Sequence, residues 1–114
     1  MSIIHLNEEK SREIIPGWHA KIVHSDNMTL ISWEVEEGAL LPEHLHEHEQ
    51  ITNIIEGEFR LIMDNDVKIL KAGDTAVIPS HTKHEGLALT PCKIIDAFYP
   101  VREDYLRGEK KTDE

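Results

Sequence analysis

Short runs of β-branched and aromatic residues, broken about every ten positions by turn formers, dominate this chain, and the 3.6-residue apolar period of a helix is almost absent. Trp18 to His24 and Met28 to Val35 read as a hairpin around Ser25-Asp26-Asn27, and Ile51 to Ile55 runs into a turn at Glu56-Gly57. Phe59 to Met63 and Val67 to Leu70 flank Asp64-Asn65-Asp66, residue types that tolerate the left-handed backbone of a tight hairpin. Ala72-Gly73-Asp74 opens the run Thr75 to Ile78, which Pro79 closes; Leu87 to Leu89 and Lys93 to Tyr99 flank Thr90-Pro91. Ile3 to Leu6 is expected as an edge strand, followed by a polar stretch from Asn7 to Glu13 and a Pro16-Gly17 turn. Glu34-Val35-Glu36-Glu37 is too short and too acidic for a helix, and only Val101 to Arg107 reads as a closing helical turn. About ten short strands at this spacing predict an antiparallel all-β sandwich or barrel.

With 114 residues the chain has room for one core, and a single domain is expected over residues 1–107. Residues 108–114 carry charge without an apolar anchor and read as a frayed tail. Twenty-two acidic against 12 basic side chains give a net charge of −10, which argues against nucleic acid as a partner. No apolar run approaches the roughly 20 residues of a membrane span, and the first residues lack a signal-peptide pattern. The lone Cys92 cannot form an internal disulfide, so a cytoplasmic protein is expected. The anomaly is eight histidines, four of them between His44 and His81.

In His44-Leu45-His46 the two imidazoles would share one face of a strand, with Cα atoms roughly 7 Å apart, close enough to hold one metal ion. His84, shortly after Pro79, can supply a third nitrogen. Gln50 would lie about 20 Å from His44 in an extended chain, so joining that site requires a reversal within Glu47-His48-Glu49. On the last strand, alternation places Ile94, Asp96 and Phe98 on one face and Ile95, Ala97 and Tyr99 on the other. Periodicity permits either face to be the core. If Asp96 is inside, burial raises its pKa and makes it a candidate general acid or base. Arg102, next to Glu103 and Asp104, reads on its own as half of a surface ion pair.

Two blocks carry a resemblance. Gly38, His44, His46, Gln50 and Gly57 have the spacing G-x5-H-x-H-x3-E-x6-G, with Gln50 in the place of the glutamate. Gly73, Pro79, His81, His84 and Ala88 follow G-x5-P-x-G-x2-H-x3-N, with His81 in the place of the glycine and Ala88 in that of the asparagine. The pair resembles the two motifs of the cupin superfamily. The string H-x-H-x-H-E-Q from His44 to Gln50, and D-x-F-x-P-x-R-x-D from Asp96 to Asp104, are similar to the small cupins of pectin and alginate breakdown, the KdgF group.

The resemblance implies a single-domain β-barrel of jelly-roll type with a short C-terminal helical turn. It implies one divalent transition metal (Zn, Ni, Fe, Cu or Mn) on His44, His46, Gln50 and His84. Three neutral imidazoles and an amide leave the charge of such an ion uncompensated, which suits a Lewis acid better than ferric redox chemistry. It further implies opening of the ring of 4,5-unsaturated monouronates to linear 5-keto sugars. In that reaction Asp96 would move protons, Phe98 would pack on the sugar ring and keep Asp96 dry, and Arg102 would bind the substrate carboxylate. A homodimer and a small sugar-acid substrate are the expected partners. His48 and His81 are expected to be solvent-facing or supporting; Glu49 is a carboxylate alternative to Gln50 that the motif spacing disfavours. His5, His19 and His24 are expected to be structural or on the surface. A metal-dependent dioxygenase and a non-catalytic sugar-binding or sensor protein are the rival functions; the first would need redox-active iron, the second would tolerate loss of Asp96.

Overall fold

Strands form where the sequence alternates, and the alternation is clearest in what the strands Thr29–Val35, Glu49–Glu56 and Cys92–Tyr99 bury. Residues 1–106 are described by the computed structural model; the tail expected from Gly108 to Glu114 lies outside the described residues. The chain runs through β1 (Arg12–Ile15), β2 (Trp18–His24), β3 (Thr29–Val35), β4 (Leu40–His44) and β5 (Glu49–Glu56). It continues with β6 (Glu58–Met63), β7 (Asp66–Lys71), β8 (Thr75–Ile78), β9 (His84–Ala88) and β10 (Cys92–Tyr99), and α1 (Glu103–Leu106) follows. Two antiparallel sheets result, ordered β1-β2-β3-β10-β5-β8 and β4-β9-β6-β7. Among the described residues no helix is long and apolar enough to cross a membrane.

β3 buries Thr29, Ile31, Trp33 and Val35 and turns Leu30 and Glu34 outward. β10 does the same, with Cys92, Ile94, Asp96 and Phe98 inside. The alternation left open by the sequence is thus resolved with Asp96 on the core side. Between the sheets Trp18 meets Trp33 edge-on at 5.3 Å and Phe59 edge-on at 5.8 Å, with Ile31, Ile54, Ile78 and Ile94 filling the rest. Gly86 lets the Phe59 ring lie across β9, because a Cβ at that position would stand 2.1 Å from the ring. Asp64 and Asn65 take φ of 51° and 64°, the left-handed pair that a two-residue hairpin turn requires.

Two expectations fail at the start of the chain. Ile3 to Leu6 forms no strand: Leu6–Glu8 is one 3-10 turn and Ile3 and Ile4 are exposed. The first strand is instead Arg12–Ile15, inside and beyond the stretch that reads as polar, where Ile14 and Ile15 are buried. Tertiary burial of two isoleucines decides this, which local composition does not reveal. β4 also escaped the sequence reading, because its burial is shallow and its alternation weak.

Candidate metal centre and acid site

β4 and β9 pair so that His44 faces His84, after a register shift between Leu41 and His44. β4 ends at His44, and the chain bends at Glu47 and His48 before entering β5. The reversal demanded by Gln50 is therefore present, but His46 stands outside regular strand rather than on the same pleat as His44. A backbone bond from His81 N to the carbonyl of His46, at 2.8 Å, ties the second motif to the first. His81 occupies the motif's glycine position and adopts φ of 59°, a left-handed conformation that costs a residue with a Cβ. His81→Gly is accordingly expected to raise stability by about 1 kcal/mol, measured by urea unfolding, without loss of the His81 backbone N–H that holds His46.

The ligating atoms of His44, His46 and His84 all lie within 4.8 Å of one another. Each ring has its Nδ1 beside a carbonyl: His44 at Pro42 O (2.8 Å), His46 at His48 O (3.0 Å), His84 at Thr82 O (2.8 Å). A carbonyl only accepts, so Nδ1 carries the proton in each ring and the neutral imidazole keeps its lone pair on Nε2. Burial, helped by Arg102 and by the neighbouring His84 and His44, pushes His46 down to about 4. Burial also lowers His84. Gln50 directs Oε1 to 3.1 Å from His46 Nε2, while its Nε2 donates to Thr52 Oγ1 at 2.8 Å. In this orientation two acceptors face each other, and His84 Nε2 is buried with no hydrogen-bond partner. These residues fit a divalent cation: converging lone pairs, a neutral amide oxygen and an orphaned buried nitrogen are what an ion would satisfy.

Asp96 lies on the neighbouring strand, 6 % exposed. Trp33 Nε1 donates to its Oδ2 at 3.0 Å, and Oδ1 is buried without a partner. Burial raises its pKa to about 6, against the opposing pull of Thr52, Trp33, Gln50 and the charge of Arg102. Thr52 and Trp33 were not singled out in the sequence; their inward places on β5 and β3 were the available signal. Phe98 is 3 % exposed, and its ring lies against His46, His48 and Arg102.

Arg102 is not at the surface. It is 4 % exposed, and its Nε and Nη2 donate to the two carboxylate oxygens of Asp104 at 3.2 and 2.9 Å. The ion pair read from the sequence exists, but buried beside the site. His48 is half-buried near His46 and Phe98, and its pKa is lowered by burial. Glu49, His5 and His81 are exposed. His24 meets Thr29 Oγ1 at 2.8 Å. His19 pairs with Glu36 at 2.7 Å and lies close to Glu13, a second His and carboxylate grouping whose glutamates are exposed and already engaged, Glu13 by the N–H of Gly17.

A family model described as a cupin domain matches residues 31–98. The pectin degradation protein KdgF of Dickeya dadantii is 29 % identical over 103 residues, covering 88 % of this chain and 94 % of that protein. The solved structure of KdgF from Halomonas sp. superposes with a TM-score of 0.87 at 32 % identity, covering 91 % of this chain and 99 % of that one. An RmlC-like cupin from Shewanella frigidimarina superposes equally well, TM-score 0.87, at 27 % identity and over 92 % of this chain and 96 % of the other.

Proposed function

We propose a function from one premise: the chain belongs to the cupin domain family, whose model covers more than half of it. In this reading the protein opens the ring of 4,5-unsaturated monouronates, the cyclic enol ethers that polysaccharide lyases release. Its similarity to the KdgF proteins of Dickeya dadantii and Halomonas sp. supports a place in pectin breakdown. The observation that carries the reaction is a dry carboxyl group, Asp96, linked through the Gln50 side chain to the cluster of His44, His46 and His84.

The reaction is an isomerisation. The C1 hydroxyl becomes an aldehyde as the C1–O ring bond breaks, the enol becomes a ketone, and a proton reaches the alkene carbon. Asp96, with a pKa raised to about 6, is poised to give that proton and to recover one from the sugar hydroxyl. Trp33 holds one carboxyl oxygen and leaves the other for proton transfer. Phe98 keeps bulk water from the acid, and Arg102 supplies positive charge for the substrate carboxylate through donors that Asp104 does not use. His44, His46, His84 and Gln50 would hold a divalent metal, which when bound supplies Lewis-acid stabilisation of developing oxygen charge. The protein should accelerate loss of the conjugated-alkene absorbance of an unsaturated monouronate. A rate equal to the spontaneous one across uronates from both pectin and alginate would reject this function.

A homodimer completes the reading. Val23, Leu30, Ala97, Ile51 and Val77 stand side by side across five strands on the outer face of the larger sheet. Leu30, Ile51 and Val77 are 41, 44 and 65 % exposed, a row that a second copy can cover. Light scattering should give a dimer mass for the parent and a monomer mass for Ile51→Glu; a monomeric parent would refute it. Burial raises the pKa of the Cys92 thiol and keeps it unreactive.

A further inference from the structure

We infer that Asp104 and Tyr105 are positioning residues for Arg102, so that the short C-terminal turn is part of the site. The inference rests on the uronate reading above. A guanidinium 4 % exposed is costly unless its charge and donors are met. Asp104 meets two donors at 3.2 and 2.9 Å, engaging the guanidinium in the bidentate manner that fixes its plane. The guanidinium carbon also lies 4.7 Å from the centre of the Phe98 ring and 4.5 Å from that of Tyr105, within cation–π range of both. Thr29 Oγ1 accepts from Arg102 N at 2.8 Å and fixes the backbone from which the side chain departs.

The turn itself depends on these contacts. Four helical residues are far too few to be stable alone. The Arg102 carbonyl accepts from the amides of Tyr105 and Leu106 at 3.1 Å, and Arg12 Nη2 donates to the Tyr105 carbonyl at 3.3 Å, anchoring the turn to β1. Tyr105 is buried although it belongs to the last residues described. A guanidinium has five N–H donors, and Asp104 takes two of them. The Tyr105 hydroxyl shares a further side-chain hydrogen bond with Arg102, and the donors left over are offered to a substrate carboxylate while Asp104 and Tyr105 keep the side chain in place.

The test uses the full chain with Asp104→Asn, Tyr105→Leu and Tyr105→Phe. In NMR spectra the Nε–H signal of Arg102 should be sharp and slow to exchange in the parent and in Tyr105→Phe, and broadened or lost in the other two. Towards an unsaturated monouronate, Asp104→Asn and Tyr105→Leu should raise KM about tenfold and change kcat less than about threefold, the split expected when a binding group is released. Tyr105→Phe, which keeps the ring but loses the hydroxyl's hydrogen bond to Arg102, should raise KM less than Tyr105→Leu does. An ordered Arg102 signal in Asp104→Asn, or an unchanged KM there, would overturn the inference. If the parent turns over no uronate, the proposed function fails, and the NMR comparison alone decides whether Asp104 and Tyr105 hold Arg102.

Discussion

Asp96→Asn is expected to abolish the proposed uronate turnover and, in metal-free protein above pH 6, to make the fold more stable than its parent. Asn keeps the shape and still accepts the Trp33 N–H, but it cannot carry the proton. The stability change has a definite sign. Asp96 moves from 3.8 to about 6 on folding because burial disfavours its charged form. Between those values the folded state binds more protons than the unfolded one, so stability falls as pH rises through that window. Above it the ionised carboxylate costs the fold about 3 kcal/mol, a cost that is absent below pH 3.8 and absent at all pH in Asp96→Asn. Urea unfolding of chelator-dialysed parent and variant should therefore coincide near pH 4 and separate in the variant's favour by pH 7.5. The histidines titrate in both proteins and cancel in the difference. A variant less stable at pH 7.5, or one that retains turnover, would show that Asp96 is an ordinary core residue.

His46→Ala is expected to lose most of the bound metal, whereas His48→Ala is expected to keep it. The two are neighbours in sequence, but their side chains have different surroundings. His46 shares the close grouping with His44 and His84, and its Nε2 faces the Gln50 carbonyl. The imidazole of His48 is outside that grouping. What His48 gives the site is its backbone carbonyl, which accepts from His46 Nδ1 at 3.0 Å and survives substitution by alanine. Equal metal loss in the two variants, read by mass spectrometric metal analysis after dialysis, would mean that the ligand set is wrongly drawn.

The two faces of β10 and the Asp64-Asn65 turn were legible from local rules, alternation and left-handed tolerance, but alternation did not say which face of β10 is inside, and chain reach required a reversal before Gln50 only if Gln50 joins the histidines. Motif spacing named His44, His46, Gln50 and His84 before any geometry was known, and the fold brings all four together. Other features depend on partners distant in sequence. Ile3 and Ile4 are left exposed, whereas Arg12–Ile15 pairs with β2 and buries Ile14 and Ile15. Apart from the motif, which put Arg102 in the site, Arg102 reads as half of a surface ion pair because Asp104 is two positions away, and nothing local announces that Phe98 and Tyr105 stack on its guanidinium. The left-handed His81 stands where the motif has glycine, so its backbone conformation was hinted at but not its bond to His46.

The central claim is that the three imidazoles converge on a single cation site. Metal content per chain, measured after dialysis of the parent and of His44→Ala, His46→Ala, His84→Ala and the control His19→Ala, tests it most directly. About one divalent ion per chain in the parent and in His19→Ala, and almost none in the other three, is the predicted result. An ion that survives loss of each of those three histidines, or a parent that binds none from zinc-, nickel-, iron-, copper- or manganese-containing buffer, would contradict the account.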